Sequence, residues 1–392
     1  MNRFSRVALG GLVAMGMLAA VPGAAFAANP SCGDVLVASR TLSGDLDCSA
    51  YAGDALILGK KGITLNLNGY TIWGPAGDDS YDGVYSSFKN VTVKNGTISG
   101  YGYGVYFYAV TGGTIKNLTI LGDLDGDDEG IYVYYGAGNT IHNNDVSGNQ
   151  YGIDVEYAAD NWITNNNVWG DANGDPYDAF YLYYETGDHI SGNTAADYTN
   201  TGFYDYASGH QTYTGNSADG SANDSTFGFY LYCYEYGWVH LYSNWATNNG
   251  DAGFYTYECY DYYSPYEGDR SIIQGNRALD NDDDADGFYD YYTINALWDG
   301  NIAKRNGDNG FYLDYPGYVV FKNNVANRNN DDGIDVEDNY GAIYNFKKFA
   351  NNTANRNGDY GINGAYGISN ASGNVAHDNG EAPDNCWNVD CN

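Results

Sequence analysis

The sequence contains few basic residues and few methionines, and each shortage excludes a class of binding partner or metal site. Its 392 residues include 17 Lys+Arg against 50 Asp+Glu, which gives a formal net charge of −33. Such a surface repels polyanions and argues against nucleic acid and anionic membranes as partners. With only three methionines, a soft copper site is not expected. Serine triads, phosphate loops and dinucleotide motifs are also absent, so no organic cofactor is predicted.

Residues 1–27 have the composition of a secretory signal peptide. Two arginines precede an apolar stretch from Val7 to Val21, and an A-x-A cleavage motif ends at Ala27. The apolar stretch is short and interrupted by glycine, and no later segment approaches membrane-spanning length. The sequence therefore predicts a secreted, extracellular protein, cleaved after Ala27 and without membrane insertion.

All six cysteines lie beyond the predicted cleavage site, and an even count in an exported chain favours disulfides. Proximity in the sequence favours Cys32 with Cys48 and Cys386 with Cys391, which leaves Cys233 and Cys259. Other pairings remain open at this point. Zinc would need clustered thiolates, and these cysteines are scattered.

A repeat of about 25 residues fills most of the chain. Each unit begins with a glycine, or once with an alanine, followed by an apolar residue, Tyr or Asp, a mostly apolar residue, and Tyr or an acid. Examples are GVYFY at Gly104, GFYLY at Gly228 and GIDVE at Gly333. An asparagine recurs in one register of the later units: Asn144, Asn166, Asn193, Asn216, Asn244, Asn276, Asn301, Asn324, Asn352 and Asn374.

Period-two alternation predicts short strands, and the Gly, Asn and Asp clusters between them predict turns. Units of this length fit the coils of a parallel β-solenoid, with the asparagines stacked in a hydrogen-bonded ladder. The chain resembles the right-handed parallel β-helix proteins of the pectate-lyase-like superfamily, in particular those with short Asn-rich repeats. The resemblance covers roughly Gly83–Asn379 and implies an all-β fold, a single right-handed parallel β-helix of about 12–14 coils. That superfamily contains enzymes, adhesins and proteins without chemistry, so the resemblance implies no particular activity.

The domain organisation follows from the repeat. We expect an N-terminal cap and the first coils over residues 28–82, the β-helix repeats over 83–380, and a disulfide-closed tail over 381–392. The residue after each repeat glycine is apolar and should point inward. The next position and the one two beyond it should then point outward, because residues two apart share a face of a strand.

These outward positions carry two rows of tyrosines, which we predict to bind a ligand. The first row includes Tyr181, Tyr204, Tyr230, Tyr255, Tyr289 and Tyr312, and the second includes Tyr183, Tyr206, Tyr232, Tyr257 and Tyr291. Strand spacing of about 4.8 Å would let neighbouring rings stack into a long aromatic strip. The strip could stabilise the fold, bind a polysaccharide, or mediate self-association.

Acids interrupt the rows at the two places where the repeat reads GIDVE, which should put Asp154 with Glu156 and Asp335 with Glu337 on the outer face. Asp314 and Glu337 should be stacked neighbours about 5 Å apart, with Asp335 beside them. Paired carboxylates at that separation are also the geometry of retaining glycoside hydrolysis. Asp314, Asp335 and Glu337 are therefore the candidate catalytic residues.

Three insertions alternate acidic or amide side chains as calcium loops do, because Ca²⁺ takes six to eight oxygen ligands. The candidate ligands are Asp123, Asp125, Asp127, Asp171, Asn173, Asp175, Asp282, Asp284 and Asp286. Each loop lacks the flanking helices and the complete ligand pattern of an EF-hand, and solvated acidic turns are the alternative.

The leading hypothesis is a calcium-stabilised β-helix whose tyrosines bind an extracellular polysaccharide or cell-surface polymer. A polysaccharide-degrading enzyme, either a glycoside hydrolase or a lyase, and a structural surface protein are the alternatives. A short basic row, Arg305, Arg328 and Arg356, would suit an anionic substrate, but pairing with neighbouring acids would also explain it.

Overall fold

The computed structural model describes residues 29–75, 80–122, 128–170, 176–220, 225–233, 237–259, 270–282, 284–337, 346–364, 368, 370–380, 385–389 and 391. Residues 1–27, predicted as a signal peptide, and the first two predicted calcium loops lie outside this set. Every regular element of the described residues is a β-strand. No helix among them is long and apolar enough to cross a membrane.

The strands stack in parallel into a solenoid, which confirms the predicted fold class. One flat side, called sheet 1 below, contains fifteen strands. Its strands are Asp34–Leu36, Leu56–Leu58, Asp82–Ser86, Tyr103–Tyr108, Glu129–Tyr134, Tyr151–Glu156, Asp178–Tyr183, Thr201–Tyr206, Phe227–Tyr232, Ala252–Tyr257, Asp286–Tyr291, Phe311–Asp314, Ile334–Glu337, Ile362–Gly364 and Cys386–Trp387.

The rest of each coil forms two further ladders, joined by the long strands Thr92–Ser99 and Thr114–Leu121. Ladder 2 also contains Arg40–Thr41, Thr64–Asn66, Thr140–His142, Trp162–Thr164, His189–Ser191, Gln211–Thr214, Val239–Tyr242, Ile272–Gln274, Leu297–Asp299, Val320–Lys322, Lys348–Ala350 and Ala371–Ser372. Ladder 3 also contains Leu46–Asp47, Thr71–Trp73, Asp145–Ser147, Asn167–Trp169, Thr194–Ala196, Ser217–Asp219, Trp245–Thr247, Arg277–Leu279, Ile302–Lys304, Val325–Asn327, Thr353–Asn355 and Val375–His377.

The apolar residue after each repeat glycine points inward, as predicted. Six of these residues are phenylalanines, and their rings stack at 4.6–4.8 Å with interplanar angles of 5–7°. The stack consists of Phe180, Phe203, Phe229, Phe254, Phe288 and Phe311, all 0–1% exposed. The repeat glycine itself is needed for close stacking, because a Cβ on Gly228 would lie 2.5 Å from the carbonyl oxygen of Gly253.

The predicted asparagine ladder is present. From Asn144 to Asn374, each side-chain amide donates to the amide oxygen of the next coil at 2.9–3.3 Å. A second ladder, which the sequence analysis missed, links the turns between ladder 3 and sheet 1 at 2.8–3.1 Å. Its members are Asn249, Asn281, Asn306, Asn329, Asn357 and Asn379. Both ladders satisfy buried polar groups at turns, where sheet hydrogen bonding is interrupted.

Two aspartates occupy the inward row of sheet 1 between aliphatic or hydroxyl neighbours. Asp205 accepts a hydrogen bond from the Tyr213 phenol at 2.8 Å, and burial raises its pKa to about 6. Asp290 accepts from the Thr256 hydroxyl at 2.6 Å and from the Thr293 hydroxyl, and burial raises its pKa to about 7. Both residues are at most 4% exposed, so the inward row continues through them.

The three disulfides pair Cys32 with Cys48, Cys233 with Cys259 and Cys386 with Cys391. The pairing favoured by proximity in the sequence is therefore confirmed. Cys233 and Cys259 follow sheet 1 strands of adjacent coils, so their Cα atoms lie 4.7 Å apart. Disulfides persist in oxidising compartments, which indicates a protein outside the cytosol.

Candidate functional site

The predicted tyrosines lie along the outer face of sheet 1 in two rows, one tyrosine of each row per coil. In the first row, Tyr181, Tyr204, Tyr230 and Tyr255 are paired in register on adjacent strands. Their ring centroids lie 4.8–5.3 Å apart with interplanar angles of 3–16°. Because these rings stack on one another, their faces are covered, and ring edges and phenol groups are directed toward solvent.

The stacking changes further along the row. Tyr255 and Tyr289 meet edge to face at 86°, and Tyr289 and Tyr312 at 67°. In the second row, Tyr183 with Tyr206 and Tyr257 with Tyr291 are stacked, whereas the pairs that Tyr232 forms are tilted. All eleven predicted tyrosines are half-buried and lie in these two rows.

Two additional aromatic rows, missed from the sequence, widen this surface. Tyr103, Tyr151 and Phe227 precede the repeat glycine, and each stacks on or meets a first-row tyrosine at 5.2–5.4 Å. The bend at the glycine places them on the outer face. The other row follows the second tyrosine and includes Tyr135, Tyr157 and Tyr184, which are 40–52% exposed. In the sequence, the consecutive tyrosines at 134–135 and 183–184 could have predicted this additional row.

The phenols of the first row remain protonated well above neutral pH. Burial raises the pKa of Tyr204 and Tyr255, and neighbouring phenols raise it further. Each phenol therefore keeps both its O–H donor and its oxygen acceptor. We call the four rows together the tyrosine face.

The candidate catalytic acids are brought together at one end of the tyrosine face. Asp314 and Glu337 are direct partners on adjacent strands, and Asp335 lies two residues before Glu337. The phenol of Tyr312 donates a hydrogen bond to Glu337. Burial raises the pKa of Asp335 to about 7, with further contributions from Asp332 and Glu337. One carboxyl of the group is thus poised to exchange a proton near neutral pH.

A second acidic group interrupts the tyrosine face at Asp154, where the sequence analysis placed an exposed acid. Asp154 is partnered in register by Tyr132 and Tyr181 and is only 3% exposed. Its Oδ1 has no hydrogen-bond partner among the described residues. Burial, followed by Glu156, Glu129 and Asp178, raises the pKa of Asp154 well above its usual range. The aromatic rings on both sides exclude water from this carboxyl, which the repeat pattern could not reveal.

The predicted calcium ligands are only partly described. The loops 123–127 and 171–175 lie outside the described residues, as does position 283 of the third loop. In the third loop, Asp282 is half-buried, Asp284 is exposed, and Asp286 is 8% exposed on a sheet 1 strand.

A carboxylate group that was not predicted lies nearby. One ligand oxygen each from Asp331, Asp332 and Asp359 lies within 4.8 Å of the others, and in the described part of the chain this is the one such group. Asp332 accepts hydrogen bonds from the Tyr360 amide at 2.6 Å and the Asn363 side chain at 3.0 Å.

Comparison with known proteins agrees with this architecture. Residues 54–250, half of the chain, match the family described as periplasmic copper-binding protein (NosD), and residues 259–379 match the right-handed β-helix region. Two solved structures from Azotobacter vinelandii have the same fold, the A-modules of the mannuronan C-5 epimerases AlgE4 and AlgE6. Their TM-scores are 0.57 and 0.54, each at 14% identity, covering 86% of this chain and 86% and 92% of theirs.

No curated protein matches the chain by sequence. The repeat, the parallel solenoid and the two adjoining family matches nevertheless agree along the described length. The chain therefore belongs to the right-handed parallel β-helix proteins and, within them, to the NosD family.

Proposed function

We propose that the protein is exported and binds an extracellular polysaccharide or cell-surface polymer along the tyrosine face, without turnover. The observation that carries this proposal is the continuous row of phenols, one per coil, from Tyr181 to Tyr312. The A. vinelandii proteins with this fold are named for an activity on mannuronan, which supports a carbohydrate ligand. Export would follow cleavage of residues 1–27 after Ala27.

Hydrogen bonding is the expected mode of recognition. Since the stacked ring faces are covered, a sugar ring cannot lie flat on Tyr204 or Tyr230. Sugar hydroxyls would instead meet a row of phenol O–H groups, which both donate and accept. The carboxylate of Glu337, at the end of this face, would repel carboxylated polymers, so a neutral, hydroxyl-rich chain fits this face best.

The turn tyrosines support a functional role for the tyrosine face. Tyr135, Tyr157, Tyr184, Tyr292 and Tyr315 all adopt left-handed backbone conformations, with φ between 51° and 60°. This conformation costs a bulky residue on the order of 1–2 kcal/mol relative to the right-handed regions. Ala109 and Ala207 occupy the same turn position in other coils. A fold that needed only a turn there would not require tyrosine.

Calcium is proposed as a stabilising ion. The three acidic insertions carry the ligand types that Ca²⁺ takes, and Asp331, Asp332 and Asp359 place three further carboxylate oxygens together. Bound Ca²⁺ would also offset part of the self-repulsion that a net charge of −33 produces.

The description of the matched family names copper, and the described residues do not fit a soft copper site. All six cysteines form disulfides, and the three methionines lie within residues 1–28, outside the described set. The close ligand group noted above consists of aspartates, whose hard oxygens suit calcium better than copper. We therefore propose no copper chemistry for these residues.

The second candidate function is polysaccharide cleavage by the acid group at Asp314, Asp335 and Glu337. Asp335, with a pKa raised to about 7, could act as the acid, and Glu337 could act as the base or nucleophile. Tyr312, which donates to Glu337, would hold that carboxylate in place. Cleavage predicts that product will be formed from the polysaccharide, whereas binding without turnover predicts none.

One experiment separates the functions. The purified protein is incubated with neutral and uronate polysaccharides while reducing ends, the absorbance of unsaturated products and pull-down are followed. The binding function predicts retention on a neutral polymer without product. Product that disappears in Asp314→Asn or Glu337→Gln would establish the enzyme instead. Retention on no polymer, together with association in light scattering, would favour a structural surface protein.

A further inference from the structure

A row of arginines lies at the turn that leads from ladder 3 back toward sheet 1. The row consists of Arg305, Arg328 and Arg356 in three consecutive coils, and each adopts a left-handed backbone conformation with φ of 58–61°. Their amides donate to carbonyls one coil further on, which fixes the three at the same position of the turn. The sequence predicts this row, with an anionic substrate or neighbouring acids as its possible partners.

The backbone does not account for arginine at this position. Other coils place residues there that tolerate or favour the left-handed region: Gly148, Asp197, Asn248, Asp280 and Asp378. An arginine in this conformation costs on the order of 1–2 kcal/mol relative to the right-handed region. Three successive arginines therefore carry a conformational cost that the fold could avoid.

Pairing with neighbouring acids accounts for only part of the row. Arg305 forms a bidentate ion pair with Asp280. Arg356 lies 3.8 Å from Asp378, and both side chains are largely exposed, at 60% and 75%. Arg328 has no ion-pair partner among the described residues. The next acids of the same coils, Asp331 and Asp359, lie beyond the buried asparagine ladder, and no ion pair joins them to Arg328.

Two residues of this row, Arg328 and Arg356, border a surface cavity of about 430 Å³. Lys304, Arg328 and Arg356, from three successive coils, give its lining three positive charges against one acid, Asp378. Asn327 and Asn355 contribute as well, and their amide oxygens accept hydrogen bonds from the backbone amides of Asn355 and His377 at 3.0 and 2.8 Å. The side-chain NH₂ groups of both asparagines are thereby left to the cavity, whose lining consists mainly of donors.

We infer that this cavity binds the oxyanion groups of a linear anionic polysaccharide that lies along the solenoid axis. The cationic side chains and asparagine NH₂ groups that line the cavity can donate hydrogen bonds to carboxylate or sulfate oxygens. The charges come from three successive coils about 4.8 Å apart, which distributes them along the solenoid axis as the repeated charges of a linear polymer are distributed. The site lies at a turn, away from the tyrosine face, and does not depend on the function proposed for that face.

The test uses dextran sulfate and polygalacturonate as polymer probes, with uncharged dextran and inorganic sulfate as comparisons. We expect wild-type protein to bind at least one charged polymer at low salt and to lose affinity as salt rises. In Arg328→Asn with Arg356→Asn, affinity should fall roughly tenfold, and the slope of log Kd against log salt should fall by about two. The two polymers distinguish sulfate from carboxylate recognition.

Thermal melting separates this role from a structural one. Asn248 occupies the same left-handed turn position, so the double Asn variant should melt at the wild-type temperature or above it while its affinity for the charged polymer falls. The charge-matched control is Lys60→Gln with Lys61→Gln, two exposed lysines near the other end of the solenoid. Equal binding by the arginine variant and wild type, an equal loss in the lysine control, or binding of inorganic sulfate without either polymer would overturn the inference.

Discussion

The phenol of Tyr312 donates a hydrogen bond to the carboxylate of Glu337 on the adjacent strand. Two residues before Glu337, Asp335 faces the same surface, and burial raises its pKa to about 7. One acid of this strand is therefore satisfied by a phenol, while the other is easily protonated. This difference can be measured as a dependence of stability on pH.

Asp335→Asn should stabilise the protein increasingly as pH rises. Because the folded pKa of Asp335 is raised to about 7 from an ordinary value of 3.8, folding favours its protonated form. The stability associated with that proton is present in acid and is lost as pH rises through about 7. Denaturation at pH 5 and pH 8 should show a larger gain for the variant at pH 8 than at pH 5. Asp197→Asn, at an exposed position, is the control, and an equal gain at both pH values would contradict the prediction.

The same linkage applies to the whole molecule. Burial raises the pKa of Asp82 to about 8, of Asp178 and Asp290 to about 7, and of Asp205 to about 6. Between roughly pH 4 and pH 8 the folded state binds more protons than the unfolded state, so the free energy of unfolding should decrease as pH rises. Asp205→Asn with Asp290→Asn should reduce the slope of melting temperature against pH, and an unchanged slope would refute the assignment.

Removing phenol oxygens from the tyrosine face should weaken polysaccharide binding without destabilising the fold. Tyr204→Phe with Tyr230→Phe keeps the stacked rings and deletes only hydroxyls. Each lost hydrogen bond should weaken binding about three- to tenfold. Isothermal titration with the neutral polymer identified by pull-down measures the effect. Tyr70→Phe with Tyr242→Phe, on ladder 2 and its adjoining turn, is the matched control. Equal affinities for the two double variants would count against the tyrosine face.

The asparagine ladder should carry much of the stability of the central coils. Asn244 donates to Tyr213 and Asn276 and accepts from the backbone and side chain of Asn216, at 2.9–3.1 Å. Asn244→Ala would leave buried polar groups unpaired on both sides, at a cost of about 3 kcal/mol in the free energy of unfolding. Chemical denaturation measures this cost. Asn330→Ala, at an exposed position, should change stability little, and similar values for the two would contradict the ladder's role.

Calcium removal should lower the melting temperature, because an ion bound only to the folded state stabilises it. Melting in chelator, then after addition of Ca²⁺ or Mg²⁺, measures the effect. Asp123→Asn with Asp125→Asn tests the first acidic loop, and Asp331→Asn with Asp359→Asn tests the carboxylate group found in the structure. Identical melting curves with and without chelator would remove calcium from the proposed function.

The sequence was sufficient for the fold because the same residue pattern recurs in every unit. An apolar residue follows each repeat glycine, so the inward row, the tyrosine rows and the asparagine ladder could all be numbered in advance. The disulfide of Cys233 and Cys259 followed once the nearer cysteines had been paired. Each of these features depends on position within the coil rather than on side-chain conformation.

The burial and contacts of the candidate site residues could not be predicted from the sequence, because they depend on how side chains of adjacent coils pack against one another. Asp154 was expected on the surface, but the rings of Tyr132 and Tyr181 bury it. The bend at the repeat glycine brings Tyr103 and Tyr151 onto the outer face, which simple alternation does not predict. Whether Arg328 pairs with an acid could not be read from the sequence either, and among the described residues it has no ion-pair partner.

The repeat also determines how this protein can change in evolution. Each coil contacts mainly the coils on either side. If one unit were duplicated or lost, the coils on either side of the change would pack against each other in the same way, and both asparagine ladders would be preserved. The binding surface would then lengthen or shorten by one tyrosine of each row, in steps of about 4.8 Å. Under the proposed function, relatives with different numbers of units should recognise correspondingly longer or shorter stretches of the same polymer, with the length of the solenoid acting as a ruler.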